Sequence, residues 1–275
     1  DWSVETLEKE LGENWEKEMI ALNEQAPTIL RANSLKTSTK HLIEELKHEN
    51  VESFQVPGFE NAVQLEEKKN VFLTSAFKDG FFEVQDAGSQ KIGEFLDVKP
   101  GMRVVDACAG AGGKTLHLAA LMENKGQIIA MDIHGWKLAE LKRRAKRAGA
   151  HNIETREITD NKVIKRLHEK ADSLLIDAPC SGLGVLKRNP DSKWKIDQDF
   201  IDRIRKEQET ILQDYSKIIK KGGKMVYATC SILPSENNEQ VENFLKNNPD
   251  FKLVKEEKVM PSSGFDGFYM ALIER

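Results

Sequence analysis

Strand-like and helix-like segments alternate along the chain from residue 101 to residue 247. Each apolar segment of strand length is followed by a segment with apolar residues at helical spacing. The strand-like segments are MRVVDACAG, GQIIAMDI, IETREI, ADSLLIDAPC and KMVYATCS. Strands separated by helices pair in parallel and are covered on both faces of the sheet. The alternation therefore predicts an α/β fold with a doubly wound parallel sheet.

Two further strand-like segments, FKLVKEEKV and GFYMALIER, end the chain without a helix between them. Parallel pairing needs a long crossover, so these strands are expected to pair antiparallel, at or near a sheet edge. Five strand–helix steps followed by such a hairpin resemble the layout of the class I S-adenosylmethionine-dependent methyltransferases.

The first part of the chain has a different pattern. Residues 3–22 are predicted to form one helix, because apolar residues recur there at helical spacing. These residues are Val4, Leu7, Leu11, Trp15 and Met19. The segments TILRANSL and VESFQV are typical of strands, and STKHLIEELKHEN of a helix capped by Ser38 or Thr39. We therefore expect a small α+β domain over residues 1–80 and a catalytic domain over residues 81–275.

The composition is that of an ordinary globular protein, with 39% apolar and 31% charged residues among 275. No apolar run approaches the roughly 20 residues of a membrane-spanning helix, and no secretory signal is present. Three cysteines at distant positions favour free thiols in a reducing cytoplasmic setting. The six histidines lack metal-ligand spacing, so we expect no metal. We also expect a monomer, and a first residue other than methionine suggests that an N-terminal piece was removed.

A basic block interrupts an otherwise acidic chain of net charge −4. The segment from Lys137 to Arg147 has six basic residues and one acidic residue. One helical face of this block is apolar and is expected to be buried, with Leu138, Leu141, Ala145 and Ala148. The basic face is either simply solvated or a phosphate-binding patch. The segment LKRNPDSKWK is a second candidate for phosphate contacts, with Trp194 able to stack on a base or to pack.

The glycine-rich segment VVDACAGAGGKT joins a predicted strand to a predicted helix. Such a turn lets the backbone approach a ligand and directs helix N–H groups at an anionic part of it. A P-loop is excluded because Cys108 stands where that motif requires glycine. A dinucleotide motif is excluded because Gly110 and Gly112 are followed by Thr115 rather than a third glycine. A purely structural turn remains the alternative.

An acidic residue, Asp132, ends the next strand, 22 residues after Gly110. A carboxylate at this distance is placed to bind ribose hydroxyls, and S-adenosylmethionine combines a ribose with an amino-acid carboxylate. Asp160 ends the third strand and either reaches the adenine amino group or caps the following helix. The candidate cofactor-binding residues in the loop are Cys108, Ala109, Gly110, Ala111, Gly112, Gly113 and Lys114.

Two cysteines, Cys180 and Cys230, follow the fourth and fifth predicted strands. Ligands of open α/β sheets bind at the carboxyl ends of the strands, so both thiols are expected near a bound methyl donor. A thiolate that adds to C6 of a pyrimidine makes C5 nucleophilic enough to accept a methyl group. Two inert buried cysteines are the alternative.

The sequence also resembles a known family. The segments DACAGAGGKT, DAPCSGLG, RNPD, ATCSILPSENNEQV and FDGFYMALIER are similar to those of the RNA 5-methylcytosine methyltransferases of the RsmB/Sun (Fmu) type. The similarity extends to RANSLKTS and FFEVQDAGS in the N-terminal part. One departure is Ala111, at a loop position where the family usually has proline.

The resemblance implies particular roles for the site residues. Cys230 would be the nucleophile, and Cys180 would help to release the methylated product. Asp177 would hydrogen-bond the cytosine edge beside the bound cofactor, or be only a turn residue at the strand end. The N-terminal unit would be an RNA-recognition-like domain; larger members carry a further N-terminal RNA-binding domain that this sequence does not show.

The expected activity is methylation of cytosine C5 in RNA with S-adenosylmethionine. Ribosomal RNA is the first candidate substrate and transfer RNA the second. A non-catalytic RNA-binding scaffold is the alternative from another class, but the presence of both Cys180 and Cys230 disfavours it. A small-molecule methyltransferase would need neither the N-terminal unit nor the paired thiols.

Overall fold

The computed structural model describes residues 2–275, with side chains from Val4 onward. The helices of this part are α1 (Trp2–Leu11), α2 (Trp15–Leu22), α3 (Thr39–His48), α4 (Ser75–Lys78), α5 (Ala87–Phe95), α6 (Gly113–Leu121), α7 (Gly135–Ala148), α8 (Asn161–Lys165), α9 (Gln198–Tyr215) and α10 (Asn238–Asn247). The strands are β1 (Ile29–Ala32), β2 (Ser53–Gln55), β3 (Ala62–Leu65), β4 (Phe82–Val84), β5 (Arg103–Asp106), β6 (Gln127–Asp132), β7 (Ile153–Glu157), β8 (Ala171–Asp177), β9 (Ile219–Thr229), β10 (Lys252–Val259) and β11 (Phe268–Glu274).

By its internal contacts the chain divides into two compact units. One consists of the residues up to Ala26 together with Ile164–Arg275, and the other of Pro27–Val163. We call them the cysteine unit and the loop unit after the predicted site residues that each contains. Units defined by packing need not coincide with sequence domains. The predicted boundary between residues 80 and 81 therefore remains a prediction.

The loop unit contains an antiparallel sheet in the order β2-β3-β1-β4 and the parallel neighbours β5, β6 and β7. Its antiparallel sheet covers a core that includes Leu30, Leu42, Leu46 and Phe82. The predicted cap of α3 is confirmed for Ser38, whose hydroxyl accepts from the His41 N–H. The fourth strand of this sheet, β4, follows residue 80, so the sheet extends past the end of the predicted N-terminal domain.

The cysteine unit contains four strands in the order β10-β11-β9-β8. Strands β8 and β9 pair in parallel, whereas β11 pairs antiparallel with both β9 and β10. The predicted antiparallel hairpin at the end of the chain is therefore confirmed. The mixed α/β architecture agrees with the predicted fold class.

The helix predicted over residues 3–22 is interrupted. A 3-10 turn over Gly12–Asn14 separates α1 from α2, and Gly12 has a φ of +58° there. Glycine adopts this conformation without steric cost, which explains the break at this position. Most of the predicted apolar residues pack on the cysteine unit, but Val4 is exposed. No helix among the described residues has the length and apolar character needed to cross a membrane.

Candidate active site

The glycine loop connects β5 to α6 in the loop unit. Gly112 caps α6 with a φ of +88°, and a Cβ at this position would lie 2.5 Å from the Leu141 side chain. Gly110 also has a positive φ, +54°, but no atom lies within 4 Å of the position that its Cβ would occupy. Gly112 is therefore required both by its conformation and by packing, whereas Gly110 leaves open space beside the loop.

Asp132 binds the glycine loop directly. Its Oδ2 accepts a hydrogen bond from the Gly110 N–H over 2.9 Å, and its Oδ1 accepts one from the His134 N–H over 2.8 Å. The carboxylate is 8% exposed. A carboxylate has about four acceptor sites, so two remain for hydroxyl groups of a ligand. Asp132 thus holds the loop and retains the capacity to bind a ribose.

Two arginines outside the motif hold carbonyl groups of the glycine loop. Arg31 of β1 donates to the Gly113 carbonyl over 2.7 Å, and Arg144 of α7 donates to the Ala111 carbonyl over 2.8 Å. Burial lowers the pKa of the Arg31 guanidinium to about 10, which leaves it charged at neutral pH. Arg31 was not predicted as a site residue. In the sequence it stands out only as a lone arginine inside the apolar strand segment TILRANSL.

The basic block does not form one uniform basic face. Its apolar face is buried as predicted, but Arg144 and Arg147 both form ion pairs with Glu83, whose side chain is 4% exposed. Their N–O distances are 2.9 Å and 2.5 Å. These guanidiniums satisfy a buried carboxylate rather than project into solvent. The exposed basic residues of the block are Lys142, Arg143 and Lys146.

The other predicted cofactor residues lie around this loop. Ala109 is buried, and its N–H donates to the Met131 carbonyl over 2.8 Å, whereas Cys108 and Lys114 are half-buried. Asp160 is exposed, and its Oδ1 accepts from the Lys162 N–H over 2.7 Å at the start of α8. This contact matches the helix-cap alternative. An apolar residue that the sequence analysis did not single out, Ile133, follows Asp132 and is 57% exposed.

The cysteine unit brings the two predicted cysteines into contact. Strands β8 and β9 run in parallel and end together, with Asp177 opposite Ala228. In the loops that follow, the Sγ atoms of Cys180 and Cys230 are 3.2 Å apart. The Cys230 N–H also donates to the Cys180 Sγ over 3.3 Å. Parallel pairing of β8 and β9 thus brings together two cysteines that are fifty residues apart in the sequence.

The two thiols differ in their environment. Hydrogen bonding to Cys230 and burial raise the pKa of the Cys180 thiol well above its ordinary value. Cys180 is therefore a thiol at neutral pH and can donate a hydrogen bond to the Cys230 sulfur.

A buried carboxylate connects the two cysteine loops. Glu236 Oε2 accepts from the Ser181 N–H over 2.8 Å and from Gln208 Nε2 over 2.9 Å. Its Oε1 accepts from the Ser231 hydroxyl over 2.6 Å. Sequence analysis assigned Glu236 no role; the only signal was an acidic residue six positions after Cys230, within the segment ATCSILPSENNEQV.

Two basic residues of the LKRNPDSKWK segment bind other parts of the protein. Fewer of its residues are therefore candidates for the predicted phosphate contacts. Lys187 donates to the Phe265 carbonyl over 2.5 Å, and Arg188 forms an ion pair with the buried Asp266. The later part of the segment remains accessible. Its exposed residues are Lys193, Trp194 and Lys195, and Trp194 is 81% exposed. Asp177 is half-buried at the end of β8, three residues before Cys180.

Comparisons with known proteins agree with these arrangements. A family model described as 16S rRNA methyltransferase RsmB/F matches residues 94–272, and an RsmF/B-like ferredoxin-like domain model matches residues 1–72. A protein of Synechocystis sp., described as a probable ribosomal RNA small subunit methyltransferase B, is 36% identical over 92% of this chain and 57% of its own length.

Solved structures give the same result. The protein in the crystal structure of PH0851 is 32% identical to this chain, with a TM-score of 0.95. The match includes all of this chain and 65% of that one. A methyltransferase homolog from Pyrococcus horikoshii is 26% identical with a TM-score of 0.87, over 99% of this chain and 94% of that one. The class I methyltransferase fold predicted from the sequence is confirmed. The chain spans 50% to 65% of the length of the first curated relatives that it matches.

Proposed function

Because the chain belongs to the RsmB/F family of 16S rRNA methyltransferases, we propose that it methylates C5 of a cytosine in ribosomal RNA by covalent catalysis. Members of this family depend on S-adenosylmethionine. The observation that carries the proposal is the 3.2 Å contact between the Sγ atoms of Cys180 and Cys230. A methyltransferase that acts on an already nucleophilic nitrogen or oxygen needs no thiol, whereas C5 methylation requires prior addition to C6.

In the proposed reaction the Cys230 thiolate adds to C6 of the cytosine and forms a carbon–sulfur bond. An unperturbed cysteine is only a few per cent ionised at pH 7, a penalty of roughly 2 kcal/mol. Asp177 hydrogen-bonds the cytosine edge and stabilises the charge that develops during addition.

The second half of the reaction restores the aromatic base. After C5 has taken the methyl group, a base removes the C5 proton and the carbon–sulfur bond breaks. The sulfur of Cys230 leaves as a thiolate, and the Cys180 thiol donates a hydrogen bond to it at this point. Cys180 therefore acts in product release, and its loss should stop the reaction at the covalent stage.

The residues of the glycine loop fit the methyl donor. The open space beside Gly110 allows the backbone to approach a ligand closely, and the start of α6 has no side-chain cap that would occupy its N–H groups. Asp132 would bind the ribose hydroxyls and the helix N-terminus the amino-acid carboxylate. When bound, S-adenosylmethionine supplies an electrophilic methyl group.

The RNA would be held by exposed basic and aromatic side chains. Lys193, Trp194 and Lys195 form a short exposed segment in which the tryptophan can stack on a base. The exposed residues of α7 provide additional positive charge, in Lys142, Arg143 and Lys146. Extruding the target base from its stack costs a few kcal/mol, and such contacts would offset that cost.

The test is methylation of unmodified small-subunit ribosomal RNA by the purified chain with labelled S-adenosylmethionine, followed by bisulfite sequencing. We expect one or more cytosines to become resistant to deamination only when protein and methyl donor are both present. Label at a nitrogen or ribose position, or label without bisulfite resistance, would overturn the proposal. Unmodified transfer RNA is the parallel substrate, and exclusive methylation of it would retain the chemistry and replace the substrate.

A further inference from the structure

We propose that Glu236 is a positioning residue that holds the two cysteine loops together and keeps a negative charge beside Cys180. The inference rests on the proposed function, since it concerns how the two thiols divide their roles. It assigns to one buried carboxylate the spacing of the pair and a part in keeping Cys180 protonated.

The contacts of Glu236 involve the residues next to each cysteine. Ser181 follows Cys180 and donates its N–H, whereas Ser231 follows Cys230 and donates its hydroxyl. The two serine hydroxyls also hydrogen-bond each other over 3.2 Å. One carboxylate therefore joins the loop after β8 to the loop after β9, through the residue that follows each cysteine.

A third element completes the clamp. Gln208 of α9 donates from Nε2 both to Glu236 and to the Pro179 carbonyl, over 2.9 Å in each case. The turn that carries Glu236 is itself fixed, because the Tyr227 hydroxyl donates to the Glu236 carbonyl over 2.8 Å. Glu236 is 0% exposed, so these contacts are shielded from water. Movement of either cysteine loop would break at least one of them.

The three side-chain contacts of Glu236 come from neutral donors, an amide, a backbone N–H and a hydroxyl. Burial of a carboxylate costs several kcal/mol unless hydrogen bonds compensate for it. A carboxylate accepts on both oxygens, as these three contacts require, whereas an amide of the same length would direct its NH2 group at one of the donors. The retained negative charge has a consequence here, because it disfavours a second negative charge at Cys180.

The groups that act on the ionisation of Cys180 come from several elements of the cysteine unit. Cys230 approaches from the loop after β9 and Glu236 from the turn before α10, and both disfavour ionisation of Cys180. The backbone N–H of Gly182 acts in the opposite direction. Helix α9 contributes the uncharged Gln208. Removal of the Glu236 charge should therefore make Cys180 easier to ionise, and ionised Cys180 can no longer donate to Cys230.

The experiment measures thiol reactivity without RNA or methyl donor. The chain is pulse-labelled with iodoacetamide from pH 6 to pH 10.5, and labelling of each cysteine is followed by peptide mass spectrometry. In Glu236→Gln, which keeps the length and removes the charge, we expect the Cys180 profile to shift by about one pH unit to lower pH, a tenfold rate change at fixed pH. The matched control is Glu239→Gln, the same change at an exposed position of α10.

A second variant separates position from charge. Ser231→Ala removes the donor that connects the Cys230 loop to Glu236 but leaves the carboxylate in place. We expect its methylation kcat to fall about tenfold, with unchanged KM for both substrates and an unshifted Cys180 profile. It also serves if Glu236→Gln does not fold. An unchanged Cys180 profile in Glu236→Gln, or an unchanged kcat in Ser231→Ala, would overturn the inference.

These readouts distinguish the two proposals. If the chain methylates no cytosine, the proposed function fails, but the alkylation profiles still report on Glu236. If methylation occurs and the profiles do not respond to Glu236, only the positioning role is wrong.

Discussion

Arg144 hydrogen-bonds the carbonyl of Ala111 from Nη1 over 2.8 Å while its Nη2 pairs with Glu83 over 2.9 Å. A single side chain thus connects the glycine loop with a buried carboxylate on β4. Glu83 in turn is shared with Arg147. The antiparallel sheet of the loop unit therefore supports the proposed cofactor loop through Glu83 of β4.

Arg144→Ala should weaken binding of S-adenosylmethionine roughly tenfold, about 1.4 kcal/mol. The Ala111 carbonyl loses its donor, so the glycine loop is less ordered before binding. The cost of ordering it then reduces the free energy of cofactor binding. The substitution should also lower the free energy of unfolding by about 2 kcal/mol, because Glu83 loses one of its two charged partners. Calorimetry and denaturant titration measure the two effects.

The control for this prediction is Arg143→Ala. Arg143 is the adjacent residue on α7, but it is exposed and forms its ion pair with the surface residue Glu140. Surface ion pairs contribute about 0–1 kcal/mol, so this variant should bind the cofactor as the unchanged chain does. Equal cofactor affinities for the two variants would show that the Ala111 contact has no role in binding.

The contrast between these neighbouring arginines shows why part of the site could not be predicted. A basic run gives the charge of a helix face, but the partner of Arg144 lies 61 residues earlier in the sequence. The short strand β4 that carries Glu83 has only three residues, too few for a periodic pattern. Which arginine is structural depends on this tertiary contact.

Other parts of the molecule were predictable from local pattern alone. The apolar segments that end at Asp132 and Asp177 have the length of buried parallel strands, and each is followed by polar or turn residues. The carboxyl ends of these strands could therefore be located from the sequence. The cysteine contact followed from parallel pairing of two such strands. Glu236 was not predictable, because a buried carboxylate is indistinguishable in sequence from a solvated one until its donors are known.

Asp132→Ala should abolish measurable S-adenosylmethionine binding or weaken it more than tenfold. The variant loses the expected ribose contact and also the hydrogen bond that fixes Gly110. S-Adenosylhomocysteine binding should fall in parallel, and ATP should bind neither protein. Calorimetry with the three ligands decides this, and undiminished affinity in the variant would place the nucleoside elsewhere.

Asp160→Ala separates the two interpretations of that residue. If Asp160 only caps α8, its loss should cost about 1 kcal/mol of stability and leave cofactor affinity unchanged. If it also contacts the adenine amino group, affinity for S-adenosylmethionine should fall severalfold. The exposed carboxylate and its bond to the Lys162 N–H lead us to expect the first outcome.

Trp194→Ala and the double variant Lys193→Ala, Lys195→Ala should weaken RNA binding in different ways. Loss of stacking should cost about 1–3 kcal/mol at all salt concentrations. Loss of two phosphate contacts should reduce the slope of log affinity against log salt by roughly 1.5. Filter binding from low to moderate salt measures both, with Lys221→Ala at an exposed position of β9 as the control. A double variant with an unchanged slope would remove this segment from the RNA-binding surface.

The two cysteines are in contact, but replacing one should stop the reaction at a different stage from replacing the other. Cys230→Ser should form no bond to C6, so the RNA is neither attached nor methylated. Cys180→Ala can add to C6 and accept the methyl group, but it lacks the hydrogen-bond donor that assists departure of the Cys230 sulfur, a donor that a serine hydroxyl would keep. It should therefore accumulate a protein–RNA adduct that survives denaturation and migrates slowly on a denaturing gel. The adduct should be absent from the Cys180→Ala, Cys230→Ser double variant, and adding Cys108→Ser to Cys180→Ala should not affect it. An adduct with Cys230→Ser alone would reverse the two roles, and full methylation by both single variants would exclude covalent catalysis.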